Sequence, residues 1–254
     1  MTLEMGEKIF WKKAEFVKPL PVEPLKRAKT ELPTVRSEDF INQNTDQNFG
    51  EFESQETIRL TGYNAEVMRP HGCGISAVYM ALRTIGSGNF KSKYDSVGKF
   101  ALDALSFHRN DLVQGDERII GTPVFNLKSG WYHDALVYCA INLGGVNGFR
   151  MENLGSFENV LNVVQQQRLE SGHNEVLAVV SVRNNHWRLK TERSSISTHM
   201  VLVNGFDFSE DGQLTRIRVA DSYVANEPRI NTWMEVTDEI SKSFTGRAMF
   251  FAKK

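Results

Sequence analysis

Cys73 is the residue of this chain whose type and surroundings could do covalent chemistry. It lies in Pro70-His71-Gly72-Cys73-Gly74-Ile75-Ser76-Ala77-Val78, after which Leu82 and Ile85 continue the helical spacing of Ile75 and Val78, and Gly86 and Gly88 supply stop signals. The cysteine therefore opens a predicted core helix. A helix N-terminus carries partial positive charge and unpaired N–H groups, which favour a thiolate over a thiol, and only the thiolate is a good nucleophile. Gly72 and Gly74 remove side chains on both sides, so that backbone packs tightly and a substrate chain can approach the sulfur. Against this stands the ordinary fate of a free cysteine, a small buried hydrophobe. The thiol becomes interesting only if a base and an orienting group accompany it.

His199 and Asp221 fill those roles. His199 lies in Ser197-Thr198-His199-Met200-Val201-Leu202-Val203, and a charged turn, Ser209-Glu210-Asp211-Gly212, leads to the alternating segment Leu214 to Val219 that ends at Asp221. Asp-Gly between two such stretches is a hairpin signal, so they read as paired antiparallel strands. His199 then begins one strand and Asp221 ends its partner, which makes them neighbours. A lone histidine beside a strand is usually just a satisfied polar residue. This one has a carboxylate in register and a poised cysteine upstream.

These three segments resemble the papain-like cysteine peptidases of the bacteriocin-processing, double-glycine type. The residues that carry the resemblance are Gly72-Cys73-Gly74, then Thr198-His199-Met200-Val201-Leu202-Val203-Asn204-Gly205-Phe206-Asp207, then Val219-Ala220-Asp221-Ser222, in the order nucleophile, base, orienter. The resemblance covers roughly residues 50 to 254. It implies an α+β fold in which an N-terminal catalytic helix packs on an antiparallel β-sheet bearing the histidine and aspartate. It also implies cleavage of peptide bonds with a preference for small residues before the cut. Two positions depart from the pattern. Ile75 stands where the family commonly has proline, and Val67 and Ala65 occupy the distances at which a glutamine usually helps form the oxyanion hole. Asn64 is the nearest upstream carboxamide, and is either that donor or an ordinary turn asparagine.

The remaining chain suits one mixed domain with an extension. In 254 residues the net charge is −1, which offers no basic footprint for nucleic acid. The first residues include acids and no apolar core, so no secretory signal is expected, and no window has the length of a membrane span. The expected compartment is the cytoplasm. Cys73 and Cys139 are the two cysteines, too few for a disulfide framework, and a reducing compartment keeps the nucleophile free. Cys139 falls in a predicted helix, Trp131 to Leu143, as a core residue. Residues 1–55, with Pro19, Pro21, Pro24 and Pro33, read as an arm that Phe10, Trp11, Phe16, Phe40, Phe49 and Phe52 dock onto a body of residues 56–254. Further helices are predicted around Tyr94 to Leu105 and Phe157 to Leu169. Strands are predicted at Val176 to Val182 and Gly246 to Ala252, with a polar loop over Arg183 to Ser197.

His71 is close enough to Cys73 to line a cleft. His108, His133, His173 and His186 lack metal-ligand spacing, so neither a metal nor a cofactor is expected. The partner expected is a peptide or protein substrate. The chemistry expected is acyl transfer to water through a Cys73 thioester, with His199 as base, Asp221 as orienter, and the Cys73 N–H and Asn64 at the oxyanion. The same residues would also serve a transferase, in which an amine attacks the thioester. A third possibility is an inactive peptide-binding module of the same fold.

Overall fold

Val176 to Arg183 forms a strand whose first seven residues are all buried, as an apolar run with no polar face must be when both faces of a sheet are covered. In the computed structural model, which describes residues 28–43, 46–86, 88–106, 124–172, 174–187, 198–223 and 229–254, this strand is central. The strands in chain order are β1 (Thr30–Glu31), β2 (Phe125–Asn126), β3 (Gly130–Trp131), β4 (Asn147–Met151), β5 (Val176–Arg183), β6 (Thr198–Phe208), β7 (Leu214–Asp221), β8 (Arg229–Glu235) and β9 (Phe244–Ala252). Seven of them make one sheet in the order β4-β9-β5-β6-β7-β8, antiparallel at every pairing, while β1 pairs with β6 at Gly205 and Phe206. β2 and β3 form a separate two-stranded ribbon.

The helices are α1 (Gln55–Thr61), α2 (Ala65–His71), α3 (Cys73–Ile85), α4 (Gly88–Lys93), α5 (Val97–Leu105), α6 (His133–Gly144), α7 (Phe157–Ser171), α8 (Asn184–Trp187) and α9 (Asp238–Ser243). From Gly74 to Leu82 every residue of α3 is buried, the signature of a helix with protein all round. It packs on β6 and β5, while α7 packs on β5 and β9. Gly86 caps α3 in the left-handed conformation, φ 78°, and Gly88, read from sequence as a second stop, instead begins α4. The molecule is thus α+β, with the cysteine helix laid on the antiparallel sheet. No helix among the described residues is long and apolar enough to cross a membrane.

Beyond the two-residue strands β1, β2 and β3, two strands had no signal in the sequence, and both are sheet edges. β4 and β8 have no buried residue and consist of half-buried and exposed positions, so neither the continuous run nor the clean alternation of a core strand appears in them. The polar stretch read as a loop contains α8, and residues 188–197 lie outside the described residues. So do Phe10, Trp11 and Phe16.

The described part of the arm is tied down by backbone and side chains together. Leu32 N–H donates to Asn204 O at 3.1 Å, Arg218 Nη2 donates to Leu32 O at 2.9 Å, and Asn231 bonds both N–H and C=O of Val35 at 3.0 and 2.7 Å. Leu32, Val35, Ile41, Phe49 and Phe52 are buried. Asp39, also buried, is paired with Arg83 at 2.6 Å and Lys91 at 3.0 Å, as a carboxylate out of water must be.

Gly72 joins α2 to α3, and a Cβ there would lie 2.7 Å from Phe49 Cζ and 2.9 Å from its Cε2. Phe49 is itself fully buried and has nowhere to swing. Gly72→Ala is expected to cost about 1–3 kcal/mol in urea unfolding by overpacking. Adding Phe49→Leu should return part of that loss, and purely additive effects would show that the two do not share the space.

Candidate active site

Cys73 is the first residue of α3, and Gly72 before it offers no side-chain cap. The N–H groups of this first turn are those a helix leaves unpaired. The thiol is half-buried, whereas Cys139 is fully buried. The flanking glycines serve packing. A Cβ on Gly74 would meet Met200 Sδ at 2.9 Å, Leu136 Cδ1 at 3.0 Å and Trp131 Cβ at 3.3 Å, and one on Gly72 would meet Phe49. The space a side chain would need at either glycine is therefore filled by protein, and what the glycines permit is the close seating of α3.

The acid and base come from neighbouring strands. β6 and β7 are in register with Leu202 opposite Ala220, which puts His199 and Asp221 in a diagonal relation on one face of the sheet. His199 Nε2 lies 2.6 Å from Asp221 Oδ1. With that nitrogen committed, Nδ1 is the one left for Cys73, and the thiol and imidazole act on each other's ionisation. Asp221 is 1% exposed and has every oxygen engaged. Oδ1 also accepts from Tyr223 N–H at 3.0 Å, Oδ2 accepts from Trp187 Nε1 at 2.9 Å, and Arg229 Nη1 approaches Oδ2 to 3.6 Å. Arg229 stands opposite Asp221 across the β7–β8 pairing.

Burial and charge oppose each other here, and charge wins. Burial pushes the Cys73 thiol up, but the hydrogen bond and positive charge of His199, with the N–H of Met200, bring it below the ordinary thiol value. Burial would also lower His199, yet the charge and hydrogen bond of Asp221, then Cys73, raise it to about 9. Burial likewise opposes ionisation of Asp221, but His199 and Trp187 hold it below the usual carboxylate range. All three shifts act in the direction of a thiolate–imidazolium pair over a carboxylate. Such a thiolate can attack an electrophilic carbon, and such an imidazolium can protonate a leaving group.

The structure gives Asn64 another duty. Its Oδ1 accepts from Val67 N–H at 3.0 Å and caps α2, so a whole helix separates it from Cys73. His71 lies two residues before the thiol with its ring 5.8 Å from that of Phe125, and burial lowers its pKa. His133 is half-buried, its Nε2 shielded from solvent without a hydrogen-bond partner among the described residues, and burial, then Arg247 and Arg150, push it down to about 4. Burial pushes Cys139 up to about 12. His186 is on α8, and His108 and His173 lie outside the described residues. Among the described residues no group of three or more His, Cys, Asp and Glu side chains is placed to hold a metal ion.

Trp187 and Tyr223 were missed by the sequence reading. A tryptophan inside a polar stretch was the available signal for Trp187. Tyr223 follows Asp221 and Ser222, and its ring meets His199 edge-on at 6.2 Å.

Comparison with known proteins gives structural likeness only. No protein-family profile matches the chain, and no curated protein matches it in sequence. Among solved structures, a Bacillus anthracis protein described as a C39-like peptidase is similar at a TM-score of 0.48 and 13% identity, over 89% of this chain and 99% of that one. UfSP from C. elegans is similar at a TM-score of 0.36 and 12% identity, over 72% of this chain and 30% of that one.

Iodoacetamide should label Cys73 at pH values below the free-thiol pKa of about 8.5. Cys139 should stay unlabelled until the protein unfolds. In Trp187→Phe, which removes one donor from Asp221, the same mass-spectrometric assay should place Cys73 labelling at higher pH than in wild type. Equal labelling of the two cysteines would contradict the electrostatics described.

Proposed function

We propose that this chain is a cysteine peptidase that hydrolyses peptide bonds through a thioester on Cys73. The observation that supports this reading is the buried His199–Asp221 hydrogen bond, Nε2 to Oδ1 at 2.6 Å, with the imidazole acting in turn on the Cys73 thiol. The Cys73 thiolate attacks the carbonyl carbon, and the negative charge passes to the carbonyl oxygen. That oxygen lies against the first-turn N–H groups of α3, Cys73's own among them. His199 gives its proton to the departing amine as the C–N bond breaks, leaving an acyl–sulfur bond and a neutral imidazole. The imidazole then takes a proton from water, whose oxygen attacks the thioester, and collapse releases the acid and restores the ion pair. Asp221 keeps the imidazole oriented and stabilises its charged form throughout.

Residues 56–254 would constitute the peptidase domain, braced by the arm before it, and the free thiols suit a reducing cytoplasm. The expected partner is a peptide or protein, and the resemblance of its motifs to double-glycine peptidases favours small residues before the cut. A second reading, an inactive peptide-binding module, draws on one observation: Asn64, the nearest upstream carboxamide, is held through its Oδ1 at the end of α2 remote in sequence from Cys73. Loss of one oxyanion donor typically costs about a hundred- to a thousand-fold in turnover.

A peptide library analysed by mass spectrometry decides between them. Cleavage is expected from wild type, none from Cys73→Ala, and from His199→Ala a rate lower by about 10²- to 10⁴-fold. Products formed with added amines would separate transfer from hydrolysis. If Cys73 is alkylated as described and yet no peptide is cut or acylates it, the peptidase reading is overturned in favour of the binding module.

A further inference from the structure

Gln43 is far in sequence from all three reactive residues, yet it connects the two halves of their site. It is 1% exposed, and its backbone and side chain are both engaged. Its backbone N–H donates to Ser222 O at 2.9 Å, its Oε1 accepts from Ser222 Oγ at 2.8 Å, and its Nε2 donates to Arg69 O at 3.0 Å. Ser222 follows Asp221 directly and is fully buried. The Arg69 carbonyl also accepts from Gly72 N–H at 3.1 Å, so it sits in the turn that ends α2 and delivers Cys73. One amide thus spans from the residue after the acid to the turn before the nucleophile.

We propose that Gln43 is a positioning residue that fixes the cysteine helix relative to the His199–Asp221 strands. This rests on the reading of Cys73 and His199 as nucleophile and base. α3 is held to β6 and β5 mainly by apolar side chains, and apolar burial is non-directional. It tolerates small slides that a thiol and an imidazole placed for proton transfer do not. A carboxamide supplies what such a strut requires, a donor at one end and an acceptor at the other in a rigid plane. Glutamate would turn an oxygen toward the Arg69 carbonyl, and a hydrocarbon would leave the Ser222 hydroxyl without its buried partner. The arm that carries Gln43 is then part of the site's geometry as well as a brace.

The competing explanation is that Gln43 merely anchors the arm, as Asn231 does at Val35. Iodoacetamide labelling of Cys73 at pH 6, with thermal melting alongside, separates them in Gln43→Ala, Ser222→Ala and Asn231→Ala. Gln43→Ala is expected to slow labelling about tenfold, since misplacements well under 1 Å are felt at reacting groups, and Ser222→Ala by a smaller factor. Asn231→Ala should lower the melting temperature and leave labelling at the wild-type rate. The proposal is overturned if Gln43→Ala labels like wild type, or if Asn231→Ala slows labelling as much. Should Gln43→Ala fail to fold, wild-type labelling in Ser222→Ala overturns it equally. Wild-type labelling that is indifferent to His199→Ala removes the pair to be positioned, and defeats the peptidase reading along with this one.

Discussion

The carboxylate of Asp221 is a charge taken out of water, and that cost organises the end of the sheet where it sits. An isolated buried carboxylate is penalised by several kcal/mol, and only close partners recover it. Asp221 receives His199 from β6, Trp187 from α8, Arg229 from β8 and the N–H of Tyr223 just downstream. Three strand ends and a short helix therefore converge on one side chain. Each is held where it is partly because a different placement would leave the charge unpaired. The raised pKa of His199 is the same interaction seen from the other side: a fixed anion at 2.6 Å stabilises an imidazolium that burial alone would discharge.

From that anion the effect passes to the sulfur. A half-buried thiol resists ionisation, and what overcomes the resistance is the protonated ring of His199 with the N–H of Met200. The chain of dependence runs in one direction, with carboxylate fixing imidazolium and imidazolium fixing thiolate. It holds only while α3 stays seated against β6. Gly74 makes that seat possible, because the volume of a single methyl group there is already filled by Met200, Leu136 and Trp131. The sheet carries the charges, and the helix must meet them at hydrogen-bond precision. Apolar packing brings the two layers together, and directional contacts such as those of Gln43 set their final offset.

The arm shows how a polar segment becomes integral to a fold. It is rich in polar residues and carries four prolines, yet Leu32, Val35, Ile41, Phe49 and Phe52 enter the core. The backbone groups between them are satisfied by Arg218, Asn204 and Asn231 from the sheet. Arg218 is itself buried, hydrogen-bonded to Asn204 and stacked over Trp233 at 5.3 Å, a polar network complete enough to lie under the arm without cost from orphaned donors.

Local sequence determined those features whose cause is local. The spacing of Ile75, Val78, Leu82 and Ile85 makes α3, the glycine at 86 ends it, the turn at Asp211-Gly212 joins β6 to β7, and the unbroken run at 176–182 can only be a covered strand. Because strand side chains alternate, the same hairpin already brings His199 near Asp221. Edge strands β4 and β8 left no trace, since half-exposed strands need no apolar pattern. Tertiary structure alone decided that Asn64 caps a helix, that Gly72 and Gly74 lie where a Cβ would meet Phe49 or Met200, and that Trp187 and Gln43, distant in the chain, reach the acid and its neighbour. Those roles rest on which surfaces meet after the layers pack. No spacing along the chain encodes that meeting, because it depends on the offset between a helix and a sheet set by the whole core at once.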